Sequence, residues 1–484
     1  MFTNFMLTMK ISKRFYRNSI RAISLSLAAM MLLALLAGCG DDKKPAASTA
    51  AETDDPMGGP VTITLWGFPY GALDGQQPGE WMEKDLIQAW NEQYPDVTVK
   101  VELLPFDGIQ EKMATAITSK KTPDVFLDTP ERILGYANMG VMLPLNDAIP
   151  EDKLQKITSN PDIMSQVAVN GDIVTLPWST GAALMMVNKT LWKNANAEHL
   201  LPQNEERTWT PEQFLEALRA VKDEKNGVYG ITLFALNEQG DQFYNNVMAG
   251  FGVKLFNPEH TRYIAGEDPA ALEAMKFFKT IVDEKLSTPF PETLTSTNAL
   301  DYFKQGKNGM LGAAAGAHVK IVADGLADNS IAAPFEPMLV NYPSTTENQA
   351  TLRSSLGHGG VFKSGDAKRE YWAKKFLIWM HAENDIIFKA NRPAYDIWGT
   401  DYSAINNEGL TPMEQVESEY LRMVVSKTSE WPIMDTGANI VGFPEMRAAM
   451  FPEMQAMFIG RTTPEETLKN ISDKFNSIIE KYNP

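Results

Sequence analysis

The 484-residue sequence predicts an α/β fold in two lobes, each a sheet flanked by helices. Three observations predict it. Strand and helix patterns alternate from Val61 onward. The chain from there to the end is long enough for two domains of ordinary size, and no repeat period divides it. Gly171 to Trp192 (GDIVTLPWSTGAALMMVNKTLW) reads as strand, break, strand and helix, the pattern of a seam between lobes.

The first residues are not part of the fold. Residues 1 to 21 carry Lys10, Lys13, Arg14, Arg17 and Arg21 and no acid, and the apolar run Ile23 to Leu36 leads into Ala37-Gly38-Cys39. That is the layout of a secretory signal, and the run is shorter than the ~20 residues a spanning helix needs. Leu36-Ala37-Gly38-Cys39 resembles the lipobox of bacterial lipoproteins, in which the signal is cut before the cysteine and lipid is attached to its sulfur. Cys39 is the only cysteine, so no internal disulfide and no thiolate metal cluster can form. Residues 1–38 are therefore expected to be signal peptide. Residues 39–60, small, polar and charged, are expected to be a flexible tether.

Loss of the five signal-peptide cations takes the net charge from -17 to -22. No dense basic stripe remains, which argues against nucleic acid as a partner.

The body begins with a β-α-β unit: Val61 to Trp66 alternates, Glu80 to Tyr94 has helical spacing, and Val97 to Leu103 alternates again after Pro95-Asp96. Ile109 to Thr118 predicts a helix stopped by Thr122-Pro123. Asp124 to Leu127 predicts a strand ending at Asp128, and Glu131 to Met139 a helix closed by Gly140. At the seam, Asn170-Gly171 is a tight-turn pair and Ile173 to Leu176 a short strand. Pro177 should end that strand because it has no N–H for the ladder. Ala182 to Val187 then predicts a buried strand. Trp178, beside the break, either fills a core or faces a cleft, and its size favours the core. Later, Gly357 to Phe362 predicts a strand with a glycine-rich approach, and Arg369 to His381 an amphipathic helix.

Catalytic patterns are missing from the sequence. It holds no G-x-S-x-G elbow, S-x-x-K, H-E-x-x-H, P-loop or G-x-G-x-x-G after a strand, and its five histidines lie far apart without ligand spacing. No cofactor, no metal and no catalysis are expected. His358 in GHGG reads as an anion nest, a general base or, more blandly, a strand-edge histidine packed by glycines. Asp128 and Glu131 are the pair a glycoside hydrolase would use, or simply acids near a helix start.

The order of segments resembles the extracellular solute-binding lipoproteins of sugar ABC importers, the maltose-binding-protein-like group. The resemblance is carried by VTITLWGF, AWNEQYPDVTVKVE, TPDVFLDTPERILGYANMGVMLPL, the seam, RTWTPEQFLEALRAV, FKQGKNGML and GRTTPEETLKNISDKFN. Val187 and Thr190 depart from the group's usual Tyr and Asp, and Thr467 from its usual Ala. The resemblance implies a two-lobed periplasmic-binding-protein-like fold of type II with the ligand between the lobes. The first lobe would take residues 61–177 and 338–390, and the second 178–337 and 391–484. It implies a carbohydrate ligand, an oligosaccharide, delivered to the permease of an ABC importer by a monomer anchored through Cys39 on the outer face of the cytoplasmic membrane. A sugar sensor partnering a membrane kinase would share the fold, and a surface glycoside hydrolase is the enzymatic rival.

A neutral sugar requires aromatic faces for its C–H side and polar groups for its hydroxyls. Carried over by position, the resemblance implies ligand contacts from Trp66, Phe68 and Tyr70 after the first strand, Asp128 and Glu131 after the third, and Trp178 at the seam. The second lobe would add Asp241, Phe243, His318 and Phe443, and the later crossings His358 and Trp398. Relatives often carry Trp in the segments of His318 and Phe443, where this chain does not.

Overall fold

Val61–Gly67 (β1) buries Ile63 and Leu65 on alternate positions, the period of two that a half-covered strand imposes. Its neighbours are Val97–Leu103 (β2) and Val125–Asp128 (β3), both parallel to it. The computed structural model describes residues 57–482 apart from 74, 106–107, 180–183, 315, 332, 346–356, 392–396, 399, 401–408, 427–436 and 438–439. The expected signal peptide, Cys39 and nearly all of the tether lie outside the described residues.

Ala168–Val169 (β4) and Asp172–Ile173 (β5) form a small hairpin whose turn, Asn170-Gly171, takes positive φ at both residues, 53° and 88°. Leu176–Ser179 (β6) follows. Leu184–Asn188 (β7), Met310–Ala314 (β8) and Pro337–Val340 (β9) make a second sheet, with β7 central and antiparallel to both neighbours. Gly357–Val361 (β10) returns to the first sheet, whose order is β2-β1-β3-β10-β6. β10 runs antiparallel to β3 and β6.

Two expectations are corrected here. Pro177 does not end its strand, because β6 is the outermost strand of its sheet and a missing N–H costs no ladder bond on the free edge. The boundary at 338 falls too early, because Pro337–Val340 pairs with β7 in the second sheet. Buried Tyr342 is held there as well, its hydroxyl within 3.2 Å of the Leu184 carbonyl and 3.1 Å of the Gly312 carbonyl. Ser344 N and Thr345 N donate to Trp209 O and Gly250 O. The chain up to Thr345 is thus held by the second lobe, and Gly357 is the first described residue back in the first sheet.

Helix Ala367–Ala382 covers the first sheet, setting Phe376 and Trp379 edge-to-face against Trp90 with ring centroids 5.0 and 5.1 Å apart. Trp398 joins this same core. It is 6 % exposed, and its Nε1 donates to His381 O at 3.0 Å. The second lobe's core is built from helices Pro211–Val221, Asp241–Gly250, Pro269–Asp283, Phe443–Phe458 and Pro464–Tyr482.

His381 is 1 % exposed, lies 2.8 Å through Nδ1 from Leu377 O, and has no partner for Nε2 among the described residues. Burial lowers its pKa to about 4. The folded protein therefore keeps the imidazole neutral while the unfolded chain takes a proton near pH 6.5, so stability declines as pH falls from about 6.5 towards about 4. Urea denaturation at pH 7 and pH 5 should show a loss of roughly 2 kcal/mol from this group. A His381→Gln variant should lack that part of the loss. An equal loss in both proteins would place the acid sensitivity elsewhere.

Candidate functional site

Because β1, β3 and β6 run one way and β10 the other, the carboxyl ends of the first three and the start of β10 share one edge of the first sheet. In open α/β sheets that edge binds ligands. Phe68 and Tyr70 follow β1, Asp128 ends β3, Trp178 lies near the end of β6, and His358 stands opposite both Asp128 and Pro177. The structure thus brings together five of the expected residues.

Tyr70 is the pivot. Its ring centroid lies 5.9 Å from Phe68 and 5.7 Å from Trp178, and burial, with the nearby Asp128 carboxylate, pushes its phenol pKa well up, so it is a neutral hydroxyl. Asp128 is fully buried and accepts from Arg132 Nε at 2.7 Å, Arg132 Nη2 at 2.5 Å and Thr129 N at 2.6 Å. Arg132 sits one helical turn on, in Pro130–Asn138, with its guanidinium 5.6 Å from the Phe68 ring centre. Burial disfavours the guanidinium charge, but Asp128 more than offsets this and keeps Arg132 ionised.

Trp178 occupies a β-bulge. Gly357 pairs with Ser179 and His358 with Pro177, leaving Trp178 as the extra residue, a device that re-aims a side chain. Its indole lies against Gly357, where a Cβ would come within 2.1 Å of Cε2, so only glycine admits the ring. Trp178 is 4 % exposed, and both its Nε1 and Thr129 Oγ1 are buried without hydrogen-bond partners among the described residues. Core and cleft edge therefore coincide at this residue. His358 is fully buried, with Nδ1 3.3 Å from Thr175 Oγ1. Trp66 is half-buried under Lys112, whose Nζ sits 4.5 Å from the ring centre. Glu131 lies in the first turn of Pro130–Asn138.

The second lobe presents an edge by the same logic. Tyr229 pairs in parallel with Asn308 and Ile231 with Ser287, so the extended runs ending near Leu236, Phe290 and Ala314 point one way. His318 stands just beyond, half-buried on helix Gly316–Ala327. Asp241 and Phe243 do not face this edge freely. Asp241 is 3 % exposed and accepts from Arg447 Nε at 2.7 Å, and Phe243 is packed among Tyr244, Phe278 and Tyr342. Phe443, 3 % exposed, lines an interior cavity with Asp241, Tyr244, Arg447 and Met450. Phe68, Asp241, Phe243, Trp398 and Phe443, all expected as ligand contacts, are each buried in this structure.

The two edges meet through helix Phe443–Phe458. It packs on the loops 238–240 and 291–293 of the second lobe and on helix Pro130–Asn138 of the first. At Gly135 a Cβ would stand 3.1 Å from Pro444 Cγ.

A family model described as bacterial extracellular solute-binding protein matches residues 74–383. The chain belongs to this family. A Brucella abortus chain named only as a binding protein is 22% identical over 406 residues, covering 82% of this chain and 90% of its own. The diacetylchitobiose binding protein DasA of Streptomyces coelicolor is 26% identical over 293 residues, 59% of this chain and 61% of that one. The ABC substrate-binding protein Lmo0181 from Listeria monocytogenes, solved with cycloalternan, superposes with a TM-score of 0.69 at 22% identity, covering 86% of this chain and 98% of that one. The two-lobed solute-binding fold is thereby shown.

Arg132 and Thr129, at the first sheet's edge, were not singled out by sequence reasoning. Arg132 was signalled by its spacing of four from Asp128 on a helix start.

Proposed function

We propose that this solute-binding protein captures a carbohydrate, an oligosaccharide, between its two edges and delivers it to the permease of an ABC importer. The observation that carries the reading is the pairing of aromatic surface with unsatisfied polar groups at one sheet edge: Tyr70 and Trp178 in ring contact, and the Trp178 N–H and Thr129 hydroxyl buried without partners among the described residues. A sugar meets both needs at once, because its C–H face covers apolar surface while its hydroxyls pair with stranded donors and acceptors. Relatives that bind diacetylchitobiose or hold cycloalternan support the same ligand class. Asp128 speaks against the hydrolase alternative, since both its oxygens are engaged by Arg132 and Thr129 and neither is poised to protonate a leaving group. The sensor alternative shares this site and differs only in its membrane partner.

Lipid on Cys39 would hold the protein, as a monomer, on the outer face of the cytoplasmic membrane. In this reading the first lobe takes the described residues up to Ser179 and from Gly357 to Trp398, and the second those from Leu184 to Thr345 and from Gly409 onward.

Calorimetric titration of residues 61–484 with a glycan panel is expected to find a ligand recovered unaltered, whereas accumulating reducing ends would decide for a hydrolase. Trp178→Phe keeps a ring and deletes the donor, and should weaken that ligand by roughly 1 to 3 kcal/mol; unchanged affinity would remove Trp178 from the site. Cys39→Ser in the full-length chain should shift the protein from the membrane fraction to the soluble one, and full retention on membranes would contradict the anchor.

A further inference from the structure

Phe290 stands between Pro289 and Pro291 with φ 62° and ψ 48°, the left-handed conformation, and is 70% exposed. A bulky residue rarely adopts that conformation, and the residue before a proline is further restricted. The protein therefore spends stability to present an aromatic ring to water. The backbone around it is firmly held. Thr293 N and Oγ1 donate to Phe290 O at 2.9 and 2.8 Å, and Pro291 is buried against helix Phe443–Phe458.

The neighbouring loop brings a second exposed apolar side chain to the same place. Leu236 is 56% exposed, and its segment is tied to the Phe290 loop by Ala235 N to Pro291 O at 3.0 Å and Leu236 N to Leu294 O at 2.9 Å. Asn237 Nδ2 adds a bond to Ser296 Oγ at 3.2 Å. Both residues follow parallel extended runs and so lie on the second lobe's ligand edge. Gln455, which donates to Ala235 O, is eleven residues along helix Phe443–Phe458 from Pro444, where that helix meets the first lobe. That separation is ~16 Å, longer than one sugar ring.

Strained backbone, rigid support and exposed apolar side chains at a ligand edge are the marks of a preorganised contact. We infer that Phe290, with Leu236 beside it, is the second lobe's stacking platform for an outer ring of the ligand, so that the protein selects saccharide chains over single rings and disaccharides. The inference rests on the carbohydrate reading above.

Maltose, maltohexaose, diacetylchitobiose and chitohexaose, within a wider glycan array, would be titrated into wild type, Phe290→Gly and Phe290→Tyr. Glycine relaxes the left-handed position, so Phe290→Gly should raise Tm while weakening the long glycan about tenfold and a disaccharide less than about twofold. Phe290→Tyr should keep the affinity for the long glycan. Unchanged long-glycan affinity in Phe290→Gly would overturn the inference, as would a lowered Tm with equal losses for long and short glycans, which marks a structural residue. Wild type that binds disaccharides as tightly as longer chains would leave the carbohydrate reading standing and remove this one. Wild type that binds no glycan would remove both.

Discussion

The arrangement of the ligand edge depends on one buried ion pair, Asp128 with Arg132. It links the end of β3 to the helix that follows, and the guanidinium then backs the Phe68 ring, against which Tyr70 and in turn Trp178 are ordered. Two charges held out of water are stable only together. Removing one partner of such a pair typically costs about 3 to 5 kcal/mol, because the other is left buried and uncompensated. The second lobe repeats the device with Asp241 and Arg447, which join the start of helix Asp241–Gly250 to helix Phe443–Phe458. Each lobe thus sets a buried Asp–Arg pair near its candidate edge, fixing the local geometry there.

The same helix brings two separately cored lobes into contact. Phe443–Phe458 belongs to the second lobe's core through Met446, Met450 and Met454, yet its first turn reaches Gly135 of the first lobe. The chain passes between lobes in segments rather than through a common core, so relative rotation would disturb this contact and leave both cores intact. A ligand that touches both edges would then favour the closed arrangement by its differential contacts alone.

Much of the fold was legible in the sequence because it rests on local periodicity. Ile109–Thr118 was read without error, and the strands ending near Asp128 and beginning at Gly357 were read to within a residue. β6 was cut short at Pro177 because its place on the sheet's edge, which tolerates proline, is a tertiary fact. The site was less legible. A residue just past a strand can point to either side, so Phe68 and Tyr70 look alike in sequence although one is sealed in a core and the other touches Trp178. Asp241 carried the marks of a ligand acid, but the arginine that claims it lies 206 residues further on. Phe290 had no periodic context, and its backbone conformation and exposure together distinguish it.

The central claim is that a sugar is held between the two edges and draws the lobes together. Small-angle scattering of residues 61–484, with and without a glycan shown to bind, tests it most directly. The account predicts a smaller radius of gyration in the bound state. Bound sugar with an unchanged scattering profile would contradict it.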